Sequence, residues 1–414
     1  MTAPLRAFRG VGIELEYVIV DAQTLAPRPI ADELIRAETG AYVNDAGRGA
    51  FGWSNELMLH VVELKNNAPA PRLETLAAGF HAEVGAVNAR LAAFGAHLMP
   101  TAMHPWMDPR REARLWPHQY AEIYAAYDRI FDCRRHGWAN LQSMHVNLPF
   151  ASDAELARLL AAVRVVLPLL PALAASSPIA DGAPAGFADF RMHCYLTHAA
   201  RIASMMGDVI PEPIAGEAEY RARILEPMYR EIAPLDPAEV MRDEWLNARG
   251  AIARFDRRAV EIRVIDTQEC PRADLAVAAA TVAAVRACYD GRWAALIEQQ
   301  HFPARRLLKL LGACIRDAER AVIDDADYLR LLGYPGARCT AAELWWHLLQ
   351  ETLPRGSRAA APWREPLDLI LTQGPLARRI LDAVGKQPSR AHLEAVYRGL
   401  CHCLAEDWLF RDLP

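Results

Sequence analysis

An alternating segment near the N-terminus constrains this chain most. Apart from two glutamates, the residues from 12 to 20 (GIELEYVIV) are apolar, aromatic or β-branched after the first glycine, which predicts a β-strand. Because side chains alternate between the faces of a strand, Glu14 and Glu16 share one face. Neighbouring carboxylates repel each other, so this face needs either solvent or a cation. A solvated edge strand and a divalent metal site both fit the segment taken alone.

The composition is that of a globular chain with a large core. The chain has 414 residues, of which 52% are hydrophobic and 23% charged, and its net charge is −5. Without a basic excess, nucleic acid is not an expected partner. No Cys-x-x-Cys pair and no apolar leader are present, so we expect a cytoplasmic protein. The apolar segment 156–175 contains two arginines and two prolines, which favours a buried helix over a membrane span.

Strands and helices alternate in the first two thirds of the chain, and helices dominate the rest. We predict strands at 11–20, 57–65, 95–101, 143–149 and 259–266, with helices at 71–94, 117–133, 152–173, 192–205 and 217–230. From about residue 271 the pattern is helical. Strands far apart in sequence and joined by helices are typical of an α+β protein with one sheet. We expect a catalytic sheet-and-helix domain over residues 1–290 and a helical region over 291–414 that packs on it.

A second pair of acids lies around the predicted strand 57–65. Glu63 sits in an apolar run, where a carboxylate needs a partner. Glu56 is seven residues earlier and would face the other way on a regular strand. It can converge with Glu63 only from a preceding turn or across a bulge, and a solvated loop acid is the alternative.

Two further strands place polar pairs on one face by the same period of two. His145 and Asn147 form one pair, which fits either a metal or phosphate site or a hydrogen-bonded core histidine. Glu261 and Arg263 form the other pair, and Ile265 is expected on their face. This pair is either an ion pair on a solvated face, or a metal ligand beside a phosphate clamp.

These motifs, in this order, resemble glutamate–cysteine ligase family 2, the carboxylate–amine ligases of the glutamine-synthetase-like superfamily. The resemblance rests on GIELE at residue 12, the Glu-x6-Glu pair, HVN at 145 and VEIRVID at 260. A Ser-Ser-Pro…Gly-Phe-x-x-x-Arg segment from Ser176 to Arg191 adds to it. The likeness spans residues 8 to 290. A second histidine that many members carry two residues after the first is Asn147 here.

The resemblance implies an antiparallel sheet curved into an active-site funnel, with helices on its outer face and with ATP and two or three Mg²⁺ or Mn²⁺ ions inside. By matching positions, the metal ligands would be Glu14, Glu16, Glu56, Glu63, His145 and Glu261. Arg263 would contact the transferring phosphate, together with Glu261 as the catalytic pair. Arg191, with an ordinary surface cation as the alternative, would bind substrate or phosphate, and His145 and Asn147 would lie beside the cofactor.

The implied activity is ATP-dependent formation of an amide, of the γ-glutamyl type, through an acyl phosphate. The expected partners are small molecules: glutamate or a similar carboxylate, and an amino-acid amine, with neither nucleic acid nor membrane. Self-association into a homo-oligomer stays open. The alternatives are a guanidino kinase or other-amine ligase of the same superfamily, and a catalytically silent nucleotide-binding regulatory protein.

Overall fold

The computed structural model describes residues 4–411. Its central element is an eight-stranded sheet, on which helices pack. The strands are β1 (Gly12–Asp21), β2 (Asp45–Arg48), β3 (Phe51–Asn55), β4 (Val61–Asn66), β5 (Ala96–Met99), β6 (Ser143–Pro149), β7 (Ile179–Ala180), β8 (Ala183–Pro184), β9 (Ala251–Arg254), β10 (Ala259–Asp266), β11 (Val322–Ile323) and β12 (Cys339–Thr340). The large sheet runs β2-β3-β4-β1-β6-β10-β9, and β5 also pairs with β1. All of these pairings are antiparallel.

Helices before β10 connect and cover the strands. They are α1 (Ala31–Thr39), α2 (Ala77–Leu91), α3 (Pro109–Glu112), α4 (Ala121–Phe131), α5 (His136–Ala139), α6 (Asp153–Val166), α7 (Leu170–Ala174), α8 (Phe190–Tyr195), α9 (Ala203–Met206), α10 (Glu217–Tyr220) and α11 (Glu226–Ile232). Among the described residues, the run Asp153–Ala174 has the length and composition of a membrane span, but 94% of its most apolar window is buried inside the protein.

The chain after β10 is mainly helical. Its helices are α12 (Pro271–Tyr289), α13 (Leu296–His301), α14 (Ala304–Asp317), α15 (Ala326–Leu331), α16 (Ala341–Thr352), α17 (Arg364–Gln373), α18 (Leu376–Val384) and α19 (Arg390–Glu406). Helices α17 and α18 are separate because Gly374, at φ +86°, and Pro375 end the first of them. The predicted helix 192–205 is replaced by the short helices α8 and α9.

One face of the sheet is apolar and forms the main core. Ile13, Leu15 and Tyr17 of β1 are buried there with Met144 and Val146 of β6. Helices α2, α6 and α12 contribute to the same core. Removing this apolar surface from water is the main term that stabilises the sheet, at about 25 cal/mol per Å².

The opposite face of β1 is divided along its length. Glu14 and Glu16 occupy its first part, whereas Val18 and Val20, two and four residues further on, are fully buried against α18 and α19. The C-terminal helices therefore cover one end of the face that carries the acids. From the sequence, helices are expected only on the outer face of the sheet.

Candidate active site

Strand register brings the acids together. In the antiparallel pair β1–β4, Glu16 lies opposite Glu63, and in the pair β1–β6, Glu14 lies opposite His145. Directly opposed side chains share a face and have Cβ atoms about 5 Å apart. Three strands therefore place these four side chains in one patch.

Glu56 joins this patch from a connection rather than from a strand. It follows the last residue of β3, and the residues up to His60 form the turn into β4. One oxygen each of Glu16, Glu56 and Glu63 lie within 4.8 Å of one another. The structure shows the preceding-turn geometry that the sequence allowed for Glu56, and its side chain is partly buried.

A second group of metal-ligating atoms shares Glu63 with the first. It consists of Glu14, Glu63 and His145, again with one ligand atom each within 4.8 Å. Glu261 belongs to neither group among the described residues, although an oxygen of its carboxylate lies 4.0 Å from Nδ1 of His145. The structure thus brings five of the six predicted ligands into two overlapping clusters and holds the sixth at their border.

The pKa values within the patch separate the acids by environment. Burial and the neighbouring carboxylates Glu16 and Glu63 raise the pKa of Glu56 well above its usual range. Burial and Glu14 raise the pKa of Glu63 to about 7, against the opposing effects of Lys65 and Ser54. At neutral pH and without a bound cation, the carboxyl of Glu56 is therefore protonated and that of Glu63 is only partly ionised.

His145 and Glu14 form a charge pair inside this patch. Nδ1 of His145 lies 2.8 Å from Oε2 of Glu14. Burial opposes protonation of His145, but the hydrogen bond to Glu14 and the charge of Glu16 raise its pKa to about 9. Burial would raise the pKa of Glu14, yet the interactions with His145 and Arg257 hold it well below its usual range. An imidazolium occupies the position that a divalent cation would compete for.

Glu261 is held by two arginines. Arg263 donates from Nη2 to Oε1 of Glu261 at 2.6 Å, and Arg254 donates from Nη1 to Oε2 at 3.1 Å. Burial opposes ionisation of Glu261, but the charges of Arg263, His145 and Arg254 together outweigh it, so the pKa of Glu261 is lowered. The predicted ion pair between Glu261 and Arg263 is therefore present, but Glu261 is 1% exposed, so the pair does not lie on a solvated face.

A bulge in β10 redirects the residues after Arg263. The register of β10 against β6 shifts between Ile262 and Ile265, so that Ile265 lies opposite Met144 on the apolar face. The sequence placed Ile265 on the polar face, and that prediction is wrong because it assumed an unbroken period of two. The same shift turns Asp266 onto the polar face.

Asp266 then holds Arg191. The Nε atom of Arg191 donates to Oδ1 of Asp266, and Ser177 donates to Oδ2 of the same carboxylate at 2.8 Å. Arg191 is 1% exposed, so the surface-cation alternative is wrong. Its Nη2 atom is buried and has no hydrogen-bond partner among the described residues.

Asn147 lies at the edge of the patch. Its Nδ2 donates to Oε1 of Glu14 at 3.3 Å, and its Oδ1 is buried without a hydrogen-bond partner among the described residues. An amide at this position leaves an acceptor available beside the acids.

Several cations of the site were not singled out from the sequence. The Nζ atom of Lys65 lies 3.5 Å from Oε1 of Glu63, and Arg257 donates to Oε1 of Glu14 at 3.0 Å. Lys65 had a signal, since it follows Glu63 by two residues on the same strand face. Arg254 and Arg257 sit on β9 and in the turn between β9 and β10, where no periodic pattern marks them.

Two cavities meet at this patch. The larger one, which we call the outer cavity, has a volume of about 670 Å³ and is lined by acids and by Lys65, Arg254 and Arg257. The smaller one, which we call the inner cavity, has a volume of about 190 Å³ and is lined in part by Arg191. Both are lined by Glu16, Leu57, Glu56, Tyr127, Trp138, His145, Trp245 and Arg263. The acids and Arg263 therefore stand where a larger and a smaller cavity meet.

The model of the glutamate-cysteine ligase family 2 (GCS2) matches residues 10–399. The chain belongs to this family. The sequence-based recognition is thereby confirmed, and the family points to ligases that form a carbon–nitrogen bond.

Individual relatives of this GCS2 protein differ in sequence identity and in how much of the chain they match. An uncharacterized protein of Archaeoglobus fulgidus is 36% identical over 310 residues, which are 74% of this chain and 79% of that protein. A Pseudomonas paraeruginosa protein named "Putative glutamate--cysteine ligase 2" is 31% identical over 183 residues, 44% of each chain. The crystal structure of the Francisella tularensis glutamate–cysteine ligase in complex with AMP has a TM-score of 0.59 and 12% identity, and covers 97% of this chain and 90% of that one. At this identity the structural match shows a shared fold.

Proposed function

We propose that this GCS2 protein is an ATP-dependent carboxylate–amine ligase that forms a γ-glutamyl amide bond with Mg²⁺ or Mn²⁺. The observation that carries the proposal is the junction of the two cavities, where Glu16, Glu56, His145 and Arg263 line both. A phosphoryl group arriving from one side can meet a carboxylate arriving from the other at such a junction.

The residues present fit divalent metal ions. The two ligand clusters supply mainly carboxylate oxygens, which suit Mg²⁺ and Mn²⁺, together with one imidazole. The raised pKa values of Glu56 and Glu63 show a local excess of negative charge that a cation would relieve. When bound, the ions would supply positive charge beside the triphosphate oxygens. Glu14, Glu16, Glu56, Glu63 and His145 would hold them, with Glu261 adjoining.

The outer cavity fits the nucleotide. Its volume of about 670 Å³ lies within the range of cofactor pockets, and Lys65, Arg254 and Arg257 give it cations for phosphate oxygens. Arg263 reaches the junction, and its planar guanidinium can donate to a transferring phosphoryl group.

The reaction proceeds in two balanced steps. An oxygen of the substrate carboxylate attacks the γ-phosphorus of ATP, the bond from that phosphorus to the bridging β–γ oxygen breaks, and ADP leaves. The amine, after losing a proton to solvent, attacks the acyl carbon of the acyl phosphate. The new C–N bond forms, the C–O bond to phosphate breaks, inorganic phosphate leaves, and the nitrogen loses its second proton. Arg263 offsets the repulsion between the carboxylate and the polyanion in the first step.

ADP release with glutamate and a panel of amines, with product analysis by mass spectrometry, tests the proposal. We expect an amide and inorganic phosphate in equal amounts with ADP. Arg263→Lys keeps the positive charge but loses the planar guanidinium that can donate two parallel hydrogen bonds. It should lower kcat by roughly 100-fold or more. Arg36→Lys, at an exposed arginine of α1, is the matched control and should leave kcat unchanged. A product phosphorylated on nitrogen, with no amide, would favour a guanidino kinase, and an absence of ADP release with all substrates would contradict the proposal.

A further inference from the structure

The inner cavity has an apolar wall that the ligase chemistry itself does not require. Leu141, Met58, Val61 and Met205 line the inner cavity and are absent from the lining of the outer one. Burying apolar ligand surface against such a wall is favourable by about 25 cal/mol per Å². A wholly polar ligand would gain nothing from it.

Aromatic side chains complete this wall. The ring centroids of Tyr127 and Trp138 lie 5.2 Å apart, and those of Tyr127 and Trp245 lie 5.8 Å apart. His198 stacks edge-on against Trp138 at 4.5 Å, and burial lowers its pKa to about 4. At neutral pH it is therefore an uncharged part of the wall.

The inner cavity also contains a charged group that it does not share with the outer cavity. Arg191 lines it but does not line the outer cavity, and its guanidinium is fixed by Asp266 through Nε. Ser177 and the backbone N–H of Ser176 donate to Oδ2 of Asp266, which fixes that carboxylate in turn. The remaining Nη2 of Arg191 is buried and has no hydrogen-bond partner within residues 4–411, a costly arrangement unless a ligand provides an acceptor.

The size of the inner cavity limits its ligand to one small molecule. About 190 Å³ corresponds to about six water volumes of ~30 Å³ each. This space suits one amino acid and excludes a nucleotide.

From this wall, this cation and this volume we infer that the inner cavity binds the amine substrate, and that this substrate is an α-amino acid with an apolar side chain. Its carboxylate pairs with Arg191, its side chain packs on Leu141, Met205 and the aromatic wall, and its nitrogen points to the junction. The inference rests on the proposed ligase function. Glutamate fits this cavity poorly, because it brings a second carboxylate and little apolar surface.

The test compares acceptors in the ADP-release assay with glutamate as donor. Leucine, methionine and phenylalanine should exceed cysteine, serine and lysine in kcat/KM by roughly tenfold or more. Isoamylamine, which is leucine without its carboxylate, should fall roughly 100-fold below leucine. A preference for cysteine or for a charged acceptor, or equal use of leucine and isoamylamine, would overturn the inference.

Two variants make the test specific to the cavity. Arg191→Lys keeps a cation for Asp266 but removes Nη2, so it should narrow the gap between leucine and isoamylamine. Leu141→Trp fills the cavity, so it should raise the KM for leucine by roughly tenfold or more while leaving the KM for ATP unchanged. Leu296→Trp, at a leucine that is 37% exposed, is the matched control. A folded Leu141→Trp protein with wild-type KM for leucine would contradict the inference.

Hydroxylamine separates a failure of this inference from a failure of the proposed function. It traps an acyl phosphate as a hydroxamate and needs neither a carboxylate contact nor an apolar wall. Hydroxamate formation from glutamate without a preference for apolar acceptors would leave the ligase function standing and overturn the cavity assignment. If Arg191→Lys and Leu141→Trp raise the KM of glutamate in the trapping assay, the donor occupies the inner cavity and the inference is wrong.

Discussion

At the scale of the residue, Glu63 shows how the site stores unfavourable charge. It belongs to both ligand clusters, and burial together with Glu14 raises its pKa to about 7. His145, with a pKa raised to about 9 by Glu14 and Glu16, compensates part of the negative charge. Buried carboxylates that repel one another are typical of a site that binds a cation.

This conflict predicts how stability depends on pH without metal. The folded-state pKa values of Glu56, Glu63 and His145 lie above their ordinary values, so each group binds more protons in the folded state. Their stabilising contribution is complete below the ordinary pKa and is lost as pH rises through the folded one. The Tm of the protein in chelator should therefore fall between about pH 5 and about pH 9.

Calorimetry of Glu63→Gln checks the assignment. Because glutamine does not titrate, this variant should show a shallower fall of Tm with pH than the wild type. Glu406→Gln, at an exposed glutamate that ends α19, should keep the wild-type slope. Equal slopes in all three proteins would show that Glu63 does not contribute to the pH dependence.

At the scale of the element, the bulge in β10 sets which side chains reach the site. Arg263 donates its backbone N–H to the carbonyl of Gly250, within the shifted part of the strand. A Cβ atom at Gly250 would lie 2.6 Å from Cγ1 of Val264 and 3.0 Å from Cδ1 of Leu167. The close packing of Gly250 against Val264, the residue after Arg263, therefore leaves no room for a side chain at position 250.

Gly250→Ala tests the role of this close approach. The added methyl group must displace Val264, so we expect a loss of roughly 1–3 kcal/mol in the free energy of unfolding. We also expect a lower kcat, because Val264 is the neighbour of Arg263 on β10 and its displacement would shift Arg263. Gly85→Ala is the control, since position 85 lies exposed inside α2 with open space around its Cβ; there alanine should stabilise by up to about 1 kcal/mol. Denaturant titration measures both, and an unchanged Gly250→Ala protein would refute this role of the bulge.

At the scale of the whole molecule, the site is assembled from parts that are far apart in the sequence. The period of two predicted correctly that Glu14 and Glu16 share a face, and likewise His145 and Asn147. It could not predict that Glu16 lies opposite Glu63, because register depends on pairing between strands rather than on either strand alone.

Three features of the molecule needed the structure. The turn that carries Glu56 follows a short strand, β3, that has too few residues to show a period. The β10 bulge reversed the expected face of Ile265 and brought Asp266 to Arg191. Packing of α18 and α19 over Val18 and Val20 involves contacts hundreds of residues apart, for which amphipathic patterns give no partner.

Binding of Mn²⁺ in the presence of a non-hydrolysable ATP analogue tests the central claim most directly. Titration calorimetry should show Mn²⁺ binding to the wild-type protein, with the affinity lowered roughly tenfold or more in Glu63→Gln, which removes a carboxylate from both clusters. Glu406→Gln should bind as the wild type does. Absence of Mn²⁺ binding by the wild type, or equal affinity in wild type and Glu63→Gln, would contradict the assignment of this acid patch as the metal–nucleotide site.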